Sequence, residues 1–446
     1  MEQNKILAAV IGLCIGDALG VPAEFKSREE LSKNPIIDMV GYGTYSQPAG
    51  TWSDDTSMTL CLLKSLQTGL DYTDIMSNFH KWYRDGEFTP YGEVFDIGIA
   101  TAKAIERFEN NTDVIACGGT DERSNGNGSL MRILPIIFYL RQQLGKDFGR
   151  YDEALNIIHN VSKITHAHPR TLIGCAIYCL VANELANERN IDDAIDYALR
   201  QITPYYKKRP EFARELKHYT NISSKNLLAT PIEEIRSSGY IVDTLKAALW
   251  CLQTTITYEA CVLKAVNLGN DTDTVAAVAG GLAGLYYGLG NIPSEWIKTI
   301  PRIDYIKENC VALFCYLRKK STNKLCNYIP YFENATEKNV AWSESEDCGE
   351  SCYTFSYPIY EKKFEEFIEA VYDSNVIDRN YMEIAKNIRM KDSEAVYRMI
   401  DSSSTEVVFC ILTSIVRAER FGDGAWADAI ENKFFLRILK RLEKEY

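Results

Sequence analysis

Two short acidic clusters, about 220 residues apart, are the parts of this chain best suited to chemistry. Ser53-Asp54-Asp55-Thr56 follows Gly50-Thr51-Trp52, and Asp271-Thr272-Asp273-Thr274 follows Gly269-Asn270. Each packs carboxylates and hydroxyls into four residues and opens a run of helical character. Donors that are all oxygen suit a hard divalent ion, Mg²⁺, Mn²⁺ or Ca²⁺, rather than zinc. Brought together, two such clusters could hold two ions, a device for hydrolysis and related displacements. Adjacent Asp54 and Asp55 can reach one ion only where an element bends, and Gly50 with a helix start at 55 supplies the bend. Either cluster alone reads as a plain N-cap, with Ser53 or Asp54 capping and Asp55 favouring the helix dipole. The repeated Asp-rich, Thr-ended form favours metal, because carboxylates this dense beside apolar helices are costly to bury without a cation.

Three other segments hold groups that could act on a ligand. Ser124-Asn125-Gly126-Asn127-Gly128-Ser129 leads into Leu130-Met131-Arg132. Its glycines permit close backbone approach, and the N–H groups of a following helix start form a natural phosphate cradle; a flexible turn and cap is the other reading. In Thr165-His166-Ala167-His168-Pro169-Arg170, Pro169 fits the first helical position with His168 at or near the cap. With no Cys or third His nearby, the two histidines suit ligand contact or capping better than metal. Glu24, in Gly16-Asp17-Ala18-Leu19-Gly20-Val21-Pro22-Ala23-Glu24-Phe25, is either a solvated loop residue or an acid/base beside a buried helix.

These groups need elements to position them, and the pattern is helical. Glycines 12, 16 and 20 fall on one face of a helix over 5–20, where another backbone can come close. Helical periodicity recurs near 55–69, after an Asp71 cap, and near 93–108, 130–144, 151–163, 170–187, 242–255 and 258–267. A further helix runs from Asp273 or Thr274 to about Tyr287. Segments 34–53 and 117–129 read as loops. Strand signals are scarce through the first 320 residues, so the expected class is all-α.

Beyond that point the composition turns polar. The expected organisation is a catalytic domain over 1–320, a polar linker over 321–352 and a small, mainly helical C-terminal domain over 353–446. In the last, 353–357 alternates like a strand, and helical patterns follow at 361–373, 379–388, 405–418 and 433–444.

The chain has 446 residues and a formal net charge of -12, which argues against non-specific binding to nucleic acid or an anionic membrane. A phosphate-rich ligand must then be met by metal, backbone amides or a local Arg. The 13 cysteines are odd in number, and Cys14, Cys61, Cys175, Cys179, Cys251 and Cys261 lie in apolar runs. Buried thiols of this kind fit a reducing cytoplasm, the expected location. Cys348 and Cys352 have no His nearby and match zinc spacings poorly. The apolar runs at Ile6–Ile15 and Val275–Gly290 read as buried helices rather than a signal peptide or a membrane span.

Six segments, in order, together resemble the ADP-ribosylglycohydrolase family of the dinitrogenase-reductase-activating type. They are Gly16–Gly20 with Glu24-Phe25, Thr51–Thr56, Ser124–Arg132, Thr165–Pro169, Ser238–Leu245 and Gly269–Thr274. The resemblance covers residues 5–300 and implies an all-α fold with a binuclear Mg²⁺ or Mn²⁺ centre. It implies Ser53, Asp54, Asp55, Asp271, Asp273 and Thr274 as metal ligands, Ser53 standing where the family often has Thr. It further implies that Ser124, Asn125, Gly126, Asn127 and Gly128 hold the diphosphate and ribose, and that His166 contacts the ligand near the ribose or adenine. Glu24 matches a mobile-loop carboxylate of part of the family and is the candidate acid/base, acting with Asp54, Asp55 and Asp273. Asn270 stands where many relatives have Gly.

The implied activity is metal-dependent hydrolysis of the ADP-ribosyl bond of a modified protein side chain or another ADP-ribose conjugate. Arginine, serine, acetate and nucleic-acid linkages stay open, as does the oligomeric state. The rival reading is a non-catalytic ADP-ribose sensor or immunity protein that acts by occupancy. Outside the match, Ile415–Trp426 is similar to an uncharacterised bacterial domain with an Arg-x-Glu-Arg-Phe-x-x-Gly pattern. There Arg417, Glu419 and Arg420 are expected as an ion-paired set or a recognition surface, and the C-terminal part as a whole as a substrate-selecting module.

Overall fold

The computed structural model describes residues 2–336, 339–343, 356–374, 376–378, 381–382, 386 and 392–445. The first compact unit, Glu2–Phe314, is built on two helices made of small and apolar residues, Glu2–Gly20 and Thr272–Tyr287. The glycine face expected in the first helix meets the second. A Cβ on Gly12 would stand 2.5 Å from the Gly280 carbonyl oxygen, and one on Gly16 2.0 Å from that of Ala276. At Gly20 it would lie 2.3 Å from the backbone of Asp273. The two backbones therefore touch, and the Thr272 hydroxyl closes the pair at one end by donating to the Gly20 carbonyl at 2.7 Å. The Glu2–Ala23 segment is apolar and long enough to cross a bilayer, yet its apolar stretch is wholly buried in protein and serves as core.

Around this pair pack the helices Asp54–Ser65, Pro169–Ala186, Ile241–Gln253 and Tyr258–Val266. Asp71 caps the next helix, Tyr72–Asp85, by accepting from the N–H of Thr73 at 2.8 Å and of Asp74 at 3.2 Å. Cys14, Cys61, Cys175, Cys179, Cys251 and Cys261 are all buried free thiols.

Two expected elements differ, and one unexpected helix is present. The helix expected over 93–108 is Ile99–Glu109, and 93–98 is irregular. The one expected over 130–144 begins only at Ile136. Pro135 has no N–H for the preceding turn, and 127–135 is wound instead in tight turns such as Leu130 N–H to the Asn127 carbonyl at 2.7 Å. A 17-residue helix, Ile191–Lys207, is present where the sequence reading placed none.

The second unit, Cys315–Tyr446, has its own core, in which Phe332, Phe364, Phe367 and Phe435 stack edge to face. Its helices include Lys362–Asp373, Ser393–Ser402, Thr405–Ala418, Ala425–Glu431 and Phe434–Glu443. The segment read as a linker starts inside a helix, Ile303–Cys326, and continues as another, Ile329–Asn334. Its polar residues are the outer faces of helices whose inner faces bury Leu325, Ile329 and Phe332.

The two described strands, Val340–Trp342 and Pro358–Tyr360, pair antiparallel. Of the strand expected over 353–357, residues 353–355 lie outside the described residues, as do Cys348, Cys352 and most of 379–388. Of the two readings of Arg417, Glu419 and Arg420, an ion-paired set or a recognition surface, the first does not hold, because among the described residues Glu419 pairs with neither Arg. It accepts from the N–H groups of Gly424 at 3.0 Å and Trp426 at 2.8 Å and from the Tyr360 hydroxyl, while Arg417 and Arg420 lie over the Tyr381 and Tyr372 rings.

Candidate active site

The two acidic clusters meet at the N-termini of the Asp54–Ser65 and Thr272–Tyr287 helices. Ser53 caps the first, its hydroxyl accepting from the Asp55 N–H at 3.3 Å, so the simple capping role is real for that residue. It does not account for Asp54 and Asp55, both buried in the first turn. Asp55 Oδ2 lies 3.1 Å from the Ser53 hydroxyl and 3.4 Å from that of Thr274, which links the clusters directly. Asp273 Oδ1 turns back to the Thr274 N–H at 2.9 Å. Asp271 accepts from the Asn127 side chain at 2.7 Å, which joins the second cluster to the glycine-rich loop.

A fifth carboxylate, Asp17, lies against the first cluster and was not singled out from sequence. It projects from the N-terminal helix one turn before Gly20, where the helix pair is in backbone contact. It accepts from the N–H groups of Ser53 at 2.9 Å and Thr56 at 3.0 Å and from the Thr56 hydroxyl at 2.5 Å. Asp17, Asp55 and Asp273 offer oxygens within 4.8 Å of one another, and so do Glu24, Asp271 and Asp273. Among the described residues, no Lys, Arg or His pairs with any of these carboxylates.

Electrostatics show the consequence. Burial pushes the Asp54, Asp55 and Asp273 carboxyls well above the usual range, and neighbouring carboxylates add to the rise. Asp17 is held at about 6 by burial against the hydrogen bonds from Thr56 and Ser53. Asp55 Oδ1 and Glu24 Oε2 are buried with no hydrogen-bond partner. Buried carboxylate oxygens without a donor or counter-charge are rare because each forfeits its hydration. An all-oxygen set with orphaned, converging carboxylates fits a divalent cation, and Asp17, Asp55 and Asp273, or Glu24, Asp271 and Asp273, could hold one.

Above the cluster opens a cavity of about 510 Å³. Glu24, Asp54 and Asp271 give its lining an acidic side, beside Thr274, Gly126, Asn127, Gly128 and His166. Glu24 is buried rather than solvated. Burial pushes its carboxyl up to about 8, with Asp96 and Asp271 adding to the rise and the Tyr45 hydroxyl bond opposing it. The Glu24 loop is tied down. The Phe25 N–H donates to the Asn270 carbonyl and the Asn270 N–H to that of Lys26, each at 2.7 Å. This exchange needs positive φ at Phe25 (66°), Gly269 (79°) and Asn270 (62°), a conformation Asn tolerates better than most residues.

The glycine-rich loop is fixed by pairing with 239–241. The Asn127 N–H donates to the Gly239 carbonyl at 3.0 Å and the Ile241 N–H to that of Asn125 at 3.1 Å. Two expected contact residues do not line the cavity. The Ser124 hydroxyl is bound to Asp121 at 2.9 Å, and the Asn125 amide donates to the Glu122 carbonyl at 2.7 Å. Gly128 is needed at its position, because a Cβ there would stand 2.8 Å from His166 Cε1. His168 caps the Pro169–Ala186 helix by accepting from the Arg170 N–H at 3.2 Å.

Two other lining residues escaped the sequence reading. Asp96 lies in the irregular 93–98 segment, which periodicity assigned to a helix, and shares the Tyr45 hydroxyl with Glu24. Arg123 is the one Lys or Arg side chain among the lining residues and stands three positions before Gly126. Its signal was the need for a local cation in an acidic chain.

Comparison with known proteins gives the family. Residues 1–323 match the family model described as ADP-ribosylglycohydrolase, and residues 317–446 match a family of unknown function, DUF6508. The ADP-ribosylarginine hydrolase Tri1 of Serratia proteamaculans is 34% identical over 70% of this chain and 79% of its own length. The ADP-ribosyl-[dinitrogen reductase] glycohydrolase of Rhodospirillum rubrum is 29% identical over 67% of this chain and 90% of its own. A solved structure titled as an ADP-ribosylglycohydrolase-related protein complex superposes with a TM-score of 0.56 at 30% identity, covering 71% of this chain and 98% of that one. By the extent of the family match, and with a site to go with it, this chain belongs to the ADP-ribosylglycohydrolase family.

Proposed function

We propose that this chain is a divalent-metal-dependent hydrolase that releases ADP-ribose from ADP-ribosylated arginine side chains of proteins. The observation that carries the reading is the convergence of Asp17, Asp55, Asp271 and Asp273 with two orphaned carboxylate oxygens beside a nucleotide-sized cavity. Two ions, Mg²⁺ or Mn²⁺, held by Ser53, Asp54, Asp55, Asp271, Asp273 and Thr274, would supply positive charge for the ribose hydroxyls and for activating a water. The arginine linkage is favoured by the Serratia relative's substrate and by acidic Asp96 beside Glu24, which suits a guanidinium leaving group.

The chain's own groups do the remaining work. The 126–128 loop, His166 and Arg123 receive the diphosphate and ribose. Glu24, buried in the cavity lining, handles the proton as the anomeric C–N bond breaks and water adds. The buried free thiols fit a reducing cytoplasm. The test is release of free ADP-ribose from arginine-, serine- and O-acetyl-linked substrates with Mg²⁺, Mn²⁺ or EDTA. Release from the arginine substrate alone, abolished by EDTA, is expected. ADP-ribose binding without release from any substrate would overturn the enzymatic reading in favour of a binding protein.

A further inference from the structure

Arg132 is fully buried, and its position calls for a reason. Its guanidinium sits 4.5 Å over the Phe79 ring, and Nη2 donates to the Val161 carbonyl at 3.2 Å and the Thr165 hydroxyl at 2.8 Å. Nε and Nη1 have no hydrogen-bond partner, and among the described residues no carboxylate pairs with the cation. A buried cation so poorly compensated is a poor packing choice. What it does have is a neighbour that matters to the site. The Thr165 hydroxyl it donates to is itself 2.8 Å from His166 Nδ1.

We infer that Arg132 is a positioning residue which, through Thr165, fixes His166 as the tautomer bearing its proton on Nε2, so that the imidazole presents a hydrogen-bond donor to the ligand in the cavity. This rests on the reading of that cavity as an ADP-ribose site. The direction of the chain follows from donor and acceptor counts. A guanidinium can only donate, so Thr165 Oγ1 accepts from Arg132. The single Thr165 proton, wholly buried, then needs an acceptor, and His166 Nδ1 is the one beside it. Were Nδ1 protonated, that hydroxyl proton would be left buried without a partner.

The ring is otherwise held in place. The His166 N–H donates to the Ser162 carbonyl at 2.8 Å, its carbonyl accepts from the Ser162 hydroxyl at 2.9 Å, and the ring edge bearing Nε2 lies against Gly126 and Gly128. The imidazole stays neutral. Burial and the Arg132 charge push it down to about 3. His166 therefore meets a phosphate or ribose oxygen as a neutral, oriented donor, not as a cation. Arg123 remains the cationic group of the cavity lining.

The test is ¹⁵N NMR of the histidine imidazoles in the full-length protein, with His166 assigned by its loss in His166→Gln. In the wild type, His166 is expected as the neutral Nε2–H form between about pH 5 and 8. Thr165→Val should shift it toward the Nδ1–H form or a mixture and weaken ADP-ribose binding by about tenfold or more, measured by calorimetry with Mg²⁺ present. Thr165→Ser, which keeps the hydroxyl, should restore both. A wild-type Nδ1–H or imidazolium signal for His166 would overturn the inference, and this reading needs only His166→Gln, for the assignment. So would an unchanged tautomer in folded Thr165→Val. Absence of ADP-ribose binding in the wild type would instead remove the functional reading, and the tautomer would still decide whether the relay exists.

Discussion

Asp17 and Thr56 are joined twice: the Asp17 Oδ2 oxygen accepts from the Thr56 N–H at 3.0 Å and from its hydroxyl at 2.5 Å. A carboxylate from the N-terminal helix thereby anchors the first turn of the helix that carries Asp54 and Asp55. Because Gly20 brings the same N-terminal helix against Asp273, one rigid element sets both acidic clusters. Asp17→Asn keeps the shape but loses the charge and one acceptor oxygen. It should weaken Mn²⁺ binding by about 10–100-fold, as loss of a group that orients metal ligands does. Calorimetric titration, with circular dichroism to show helix retention, checks this; wild-type affinity would contradict it.

Glu24→Gln removes a proton-handling group but leaves the Tyr45 contact possible. The expected result is a fall in kcat of about 10²–10⁴ with ADP-ribose affinity within about threefold of the wild type. An equal loss in binding and turnover would assign Glu24 to ligand or metal holding alone.

Helix contact can be probed away from the chemistry. In Gly16→Ala the new methyl would meet the Ala276 carbonyl oxygen at 2.0 Å, so the helices must separate. Overpacking of this kind costs about 1–3 kcal/mol or more, read as a lower denaturation midpoint. Gly290→Ala is the control: nothing lies within 4 Å of its Cβ position, and stability should stay within about 0.5 kcal/mol of the wild type.

His159 gives a pH signature outside the site. It is buried 2.8 Å from the Tyr206 hydroxyl, and burial, aided by Lys163 and Arg209, lowers it from 6.5 to about 3. As pH falls below 6.5 the unfolded chain takes up this proton before the folded one does. Its contribution is thus intact above that value and is lost on acidification toward about 3, by up to about 1.4 kcal/mol per pH unit. His159→Gln should show a shallower loss of stability than the wild type between about pH 6 and 4 in denaturant titrations. Parallel curves would contradict the assignment.

Much of this was legible from residue types and short spacings. Glycines 12, 16 and 20 announce a face for backbone contact, because helical geometry fixes which residues share a side. The Asp71 cap and the capping roles of Ser53 and His168 are local matters of a side chain and the next turn, and short-range chemistry determines them. The acidic clusters were legible for the same reason: their donor types are written in four consecutive residues.

What only the tertiary structure decided is which distant groups share a volume. Asp17 became part of the centre because Gly20 touches Asp273, a contact between residues more than 250 positions apart. Asp96 reached the cavity because its segment is irregular where periodicity suggested helix, and helical pattern cannot see an unwound turn. Ser124 and Asn125 look like ligand contacts in the chain, yet their polar atoms are taken by Asp121 and Glu122. Arg132 reads as one more residue of an expected helix, and only burial against Thr165 and His166 gives its charge a task. Composition determines which atoms can bond; packing determines which of them have no other partner, and those are the atoms left for a metal or a ligand.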